Sequence, residues 1–137
     1  MSKSNTTERD TLKSLLQGID PSWRTDLNLY VSLHTVDPGE TGDQSSNEAD
    51  YDGYARAVIP KASGWTYSAG SSTFTNASLL QFPQCSGGSN VITHVSIGIT
   101  SSLSSQIVYS GELNSPLTVS NLIQPQFSAG ALSVSED

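Results

Sequence analysis

Two histidines, His34 and His94, and a single cysteine, Cys85, are the side chains of this 137-residue sequence best suited to act as base, nucleophile or soft metal ligand. A zinc site needs three or four such ligands held in fixed geometry. Neither histidine has a second ligand two or four residues away, and Cys85 stands apart in the polar loop between Gln84 and Asn90. The expectation is therefore two hydrogen-bonded or partly exposed strand histidines and a small, partly buried cysteine with no activating neighbours. Serine is abundant, but the G-x-S-x-G elbow that presents a nucleophile is absent, as are the P-loop and the G-x-G-x-x-G turn. Asp43, Asn47, Glu48, Asp50 and Asp52 could gather oxygen ligands for calcium, yet they lack the ligand order and central glycine of an EF-hand loop. A solvated acidic loop is the reading they support. No paired carboxylates sit in a recognisable sugar cleft. The sequence thus predicts no catalytic residue, no cofactor and no metal, and a protein that is not an enzyme.

Composition narrows the partners. The formal net charge is −7, with six Lys and Arg against thirteen Asp and Glu. A nucleic-acid surface needs a basic stripe that displaces counterions from phosphates, and six dispersed cations do not supply one. Anionic membranes are disfavoured for the same reason, and no apolar run approaches the ~20 residues of a spanning helix. Charged residues make up 14% of the chain, against about 25% in an average domain; Ser, Thr, Asn and Gln take the difference. One cysteine excludes an internal disulfide. The N-terminal residues lack an apolar signal-peptide core, so a soluble protein is expected. The sequons Asn5-Thr6-Thr7 and Asn76-Ala77-Ser78 are expected to go unused.

Alternation and turn chemistry give the elements. Residues 1–22 form a helical N-terminal segment. Asn5 is placed as its cap, with Glu8 three residues on. Leu12, Leu15, Leu16 and Ile19 make one apolar stripe, and Gly18 and Pro21 end the helix. This stripe either covers an open end or face of a sheet or docks on a neighbouring subunit. Leu27, Leu29, Val31 and Leu33 alternate with polar or amphipathic residues up to His34, as in a strand with one buried face. Residues 39–53 carry no apolar periodicity and read as a long exposed loop, a kind that is usually functional or mobile in a small domain. Further strands are predicted at Tyr54–Ile59, from Thr73, at Val91–Ile99, at Gln106–Leu113 and at Ala131–Ser135, with Trp65 and Tyr67 in a turn-rich segment between. In the Val91–Ile99 strand, Val91, Val95, Ile97 and Ile99 are placed on one face. Pro116 punctuates the strand from Gln106, which Leu117 to Val119 resume, and Pro125 removes a ladder donor, favouring an edge or a bulge. The sum is a mainly β chain, a single domain over 1–137, folded as an antiparallel β-sandwich or distorted barrel with a short N-terminal helix.

An ordered series of blocks carries a resemblance. It runs Leu29-Tyr30-Val31-Ser32-Leu33-His34-Thr35-Val36-Asp37-Pro38-Gly39, Gly53-Tyr54-Ala55-Arg56, Phe82-Pro83, Val91-Ile92-Thr93-His94-Val95, Val108-Tyr109-Ser110-Gly111-Glu112-Leu113 and Phe127-Ser128-Ala129-Gly130-Ala131-Leu132. In order and spacing these blocks resemble small proteins of tailed bacteriophages labelled tail fibre proteins. The resemblance implies a virion component, made in the host cytoplasm, with no known active site. The compact chain, without fibre-like repeats, further suggests a capsid decoration (cement) protein. It would be a homo-oligomer bound to other virion proteins, the major capsid protein first among them. A tail appendage and a carbohydrate-binding host-contact module using Trp65 and nearby tyrosines are the alternatives. Interface positions follow from the helix stripe and from aromatic anchors: Leu12, Leu15, Leu16, Trp23, Tyr51, Tyr54, Trp65 and Tyr67. Arg56 is expected to pair either across an interface or with the acidic loop.

Overall fold

The computed structural model describes residues 1–136. It is mainly β, with one α-helix and open antiparallel sheets, so the sandwich expectation holds and the barrel alternative does not. The larger sheet has five strands. Its spatial order is β1 (Ser2–Lys3), β8 (Ile107–Val119), β7 (Asn90–Gly98), β2 (Asn28–His34) and β3 (Ala57–Pro60). A three-stranded sheet runs β10 (Ser133–Ser135), β5 (Thr73–Asn76), β4 (Trp65–Tyr67), and β6 (Leu80–Gln81) pairs with β9 (Gln126–Phe127).

Period-2 alternation sends Val31 and Leu33 of β2, Val95 and Ile97 of β7, and Ala57 and Ile59 of β3 into one core. There they meet Leu80, Phe82, Cys85, Leu132 and Val134 from the other elements. Cys85 is fully buried, and its Sγ approaches the Gly87 carbonyl at 3.1 Å. Asn76 is also buried. It donates to the carbonyls of Ser78 and Ser128, each at 2.9 Å, and accepts the Leu132 N–H at 2.9 Å. That amide sews β5 to the last turn.

Several local expectations change. Trp65 and Tyr67, expected in a turn-rich segment, lie on strand β4, paired with β5, and the strand expected from Tyr54 begins only at Ala57. Val91 is 51% exposed and Ile92 fully buried, the reverse of the expected face. The cause is a register shift: Ile92 faces Leu117, but His94 faces Glu112. Four residues of β8, among them Pro116, therefore oppose Thr93 alone. A proline that cannot donate to the ladder lies within the irregularity, and the side-chain alternation of β7 breaks at the same point. Leu27 lies outside β2 and is exposed. The helix α1 (Asn5–Gln17) is capped by Ser4, not Asn5. The Ser4 Oγ accepts the Thr7 N–H at 3.3 Å and donates to the Ile107 carbonyl at 2.5 Å, so the cap is also the helix's anchor on β8. Gly18 ends the helix at φ 68°, a left-handed conformation that suits glycine.

Candidate functional site

Three features of this fold could meet another molecule: the 39–53 segment, an aromatic groove, and the free face of α1. Only the groove is built from residues far apart in sequence.

The 39–53 segment is the largest departure from expectation. It is not a solvated loop. It folds back over the sheet face opposite the core, so that all four residues from Val31 to His34 are buried, on both faces of β2. Isolated bridges hold it at His34–Glu48, Asp43–Gln106 and Asp52–Gly87. The Ala49 N–H bonds the Leu33 carbonyl at 2.8 Å, and the Thr35 N–H bonds Asn47 at 2.9 Å. The segment thus finishes the β2 edge where β3 stops. Polar groups brought under cover must find partners, and here they do. Gln44, fully buried, donates to the Tyr30 carbonyl at 2.9 Å and to Ser32 Oγ at 2.8 Å. His34 holds the Ser46 carbonyl at 2.8 Å through Nδ1, which must therefore carry the proton, leaving Nε2 to accept from Ser96 Oγ at 2.7 Å. Burial pushes the His34 pKa below its ordinary value, which keeps the ring neutral. Asn90 Oδ1 accepts the N–H groups of Asp50 and Tyr51 at 3.0 and 2.9 Å.

Of the expected interface residues, three belong to this inner network. Arg56 is 9% exposed, and Tyr51 is 3% exposed and packed in the core cluster. Neither is available as a surface anchor. Tyr51 donates to the Pro83 carbonyl at 2.8 Å, and burial pushes its phenol up to about 12. The half-buried Tyr54 donates to Glu48 at 2.8 Å and accepts the Leu33 N–H at 3.1 Å; its phenol, too, is raised by burial. Arg56 pairs with Glu48, the acidic-loop alternative of the two considered. The acidic residues do not converge on a cation. Asp43 accepts from Ser45, Asp50 from Asn90, and Glu48 from Arg56. Among the described residues no group of three His, Cys, Asp or Glu is placed to share a metal ion.

The aromatic groove, of about 510 Å³, runs along the mouth between the two larger sheets. Leu29 and Tyr109 contribute from the five-stranded sheet, Trp65 from β4, and Trp23 and Arg24 from the short 3-10 turn Ser22–Arg24. Trp65 and Tyr109 continue into an apolar cleft with Phe74 and Val134. Tyr67, which is exposed, stacks at a tilt on Phe74 with ring centres 5.0 Å apart. The structure therefore gathers Trp23, Trp65 and Tyr67 along one open seam and separates them from Tyr51 and Tyr54. The sequence reading missed Lys61, Arg24 and Tyr109; no local pattern marks them, because they come from three different elements.

The helix stripe is free. Leu12, Leu15 and Leu16 are 56, 75 and 78% exposed, and Ile19 lies with them. They do not cover the sheet. The side of α1 that meets it is polar: Thr7 is buried and donates to the Ile107 carbonyl at 2.8 Å, while Gln106 reaches Thr7 and Asp10. Of the two roles considered for the stripe, the covering of its own sheet is excluded.

These features define a small β-sandwich-like protein that presents an open groove and an apolar helix face to its surroundings. The sequence model of the family described as podophage GP4 fiber I protein gp80 matches residues 2–135, and the chain belongs to that family. It is accordingly a structural protein of a bacteriophage virion. No curated protein matches the chain.

Proposed function

We propose that this protein is a subunit of the fibre apparatus on a podophage tail, and not a decoration protein of the head. The family match over residues 2–135 carries the reading, because the family is described by a fibre. Compactness, which pointed to the head, is equally suited to a small fibre-associated domain. The role is non-catalytic: the buried polar groups of the 39–53 segment are consumed in holding that segment down. The exposed leucines of α1 are the contact through which another virion protein would hold the subunit, since an apolar stripe left in water gains free energy when covered.

Gold-labelled antibody on purified virions, combined with gel densitometry against the major capsid protein, tests the assignment. Label confined to the tail and a copy number of tens or fewer are expected. Label spread over the head with hundreds of copies would restore the decoration reading and sink this one.

A further inference from the structure

Both tryptophans of the chain and three of its six basic residues line the same groove. Even with Glu136, which lines it too, the groove is net positive in a protein of net charge −7. Lys3 is balanced by Glu136 at 2.7 Å, and Arg24 by Asp20 in an exposed pair. Lys61 differs: its ammonium bonds the Trp23 carbonyl, and among the described residues it has no carboxylate partner. The Trp23 indole N–H is buried and has no acceptor among the described residues. Thr7 and Thr11 stand on the helix side of the groove, and Tyr109 on the sheet side.

We infer that this groove binds an acidic saccharide, with Trp23 and Trp65 against the sugar rings and Lys61 and Arg24 on the anionic substituents. The indole faces are electron-rich and attract the polarised C–H face of a sugar ring. The cations add charge-assisted hydrogen bonds, shorter and stronger than neutral ones. A volume of about 510 Å³ falls within the ~300–1,000 Å³ of small-ligand sites. The acidic remainder of the surface repels polyanions at large, which confines such binding to the groove. An apolar peptide would leave Lys61 uncompensated, and a neutral sugar would make no use of it. This goes beyond the tail assignment and does not depend on it.

Because Trp23 and Trp65 are the two tryptophans of the chain, tryptophan fluorescence, excited beyond the tyrosine absorption band, reports on the groove alone. The full-length protein is titrated at low salt with dextran sulfate, with uncharged dextran of the same length, and with poly-glutamate. A saturable change with dextran sulfate is expected, with little from dextran or poly-glutamate. The double variant Lys61→Gln, Arg24→Gln should bind about tenfold more weakly while melting with the wild-type cooperativity; Trp65→Phe, with Trp23 as remaining reporter, should weaken binding with both cations intact. Equal response to poly-glutamate would reduce the site to charge alone, and equal response to dextran would remove the charge requirement; either result overturns the proposal. So does an unchanged affinity in the double variant, or no response to dextran sulfate. None of these outcomes bears on where in the virion the protein sits.

Discussion

Arg56 grips Glu48 with a two-pronged ion pair, Nε to Oε1 at 2.7 Å and Nη2 to Oε2 at 2.8 Å, just before β3 begins and beside the 39–53 segment. The remaining guanidinium hydrogens go to the Thr100 and Leu103 carbonyls at 3.0 and 2.6 Å and to Gln44 Oε1 at 3.3 Å. Glu48 also takes the Tyr54 hydroxyl. One side chain thus ties three stretches of chain: the folded-back segment, the strand entry at β3, and the turn after β7. A planar fork with five donors suits this place, and a lysine would not.

Removing one partner of this pair leaves a buried charge without compensation. Arg56→Ala should cost about 3–5 kcal/mol, read as a lower midpoint in urea denaturation. The double substitution Arg56→Met, Glu48→Leu should recover a large part of that loss, since no stranded charge remains. A double variant as unstable as the single one would show that the hydrogen bonds to Thr100 and Leu103 matter more than the pair.

His34 should make stability fall on acidification. Its pKa is ordinary, about 6.5, in the unfolded chain and lowered by burial in the fold. Between those two values the unfolded state binds more protons, so stability rises with pH. The contribution is complete above 6.5 and is lost as pH falls towards the folded value. Glu48, Arg56 and His94 are the charged and titratable groups that act on the ring. Asp43 and Glu136 are shifted below the usual carboxylate range, so their contributions disappear only near pH 4 and lower. Urea midpoints measured from about pH 7.5 down to 5.5 should decline in the wild type and stay flatter in His34→Gln.

Gly98 is required by Gln44. A β-carbon there would lie 2.0 Å from the Gln44 amide carbon, well inside contact distance. Gly98→Ala should therefore push Gln44 off Tyr30 and Ser32 and cost about 1–3 kcal/mol. The double variant Gly98→Ala, Gln44→Ala should relieve the clash but leave Ser32 and Arg56 short of a partner. Amide exchange at Gln44, whose N–H bonds the Ser105 carbonyl, should accelerate in the single variant.

The helix face separates assembly from folding. Leu15→Glu with Leu16→Glu should alter stability by no more than ~0.5 kcal/mol, as expected of exposed positions, and should lower incorporation into virions. Deleting the whole N-terminal segment is a poorer probe, because Ser2 and Lys3 form β1 against β8 and Ser4 anchors the helix. Normal incorporation of the double glutamate variant would remove the helix from the assembly contact.

Much of the fold is local physics written in the order of residues. Alternation in Leu29 to Leu33 and in Val95 to Ile97 names the core faces whatever the partner strands are. Gly18 and the i, i+3, i+4 leucines delimit the helix. The absence of ligand spacing around His34, His94 and Cys85 is equally visible without coordinates. What could not be read there depends on register and on what lies opposite. The bulge at Thr93 exchanges Val91 for Ile92 only because of where β8 pairs. A polar stretch such as 39–53 carries no periodicity, so nothing local says whether water or Ser32, His34 and Asn90 will satisfy it; the tertiary fold chose the protein groups, and turned Tyr51 and Arg56 inward with them. Likewise the stripe on α1 announces an apolar face but not its orientation, which was set by Ser4 and Thr7 bonding the end of β8 with the helix's polar side.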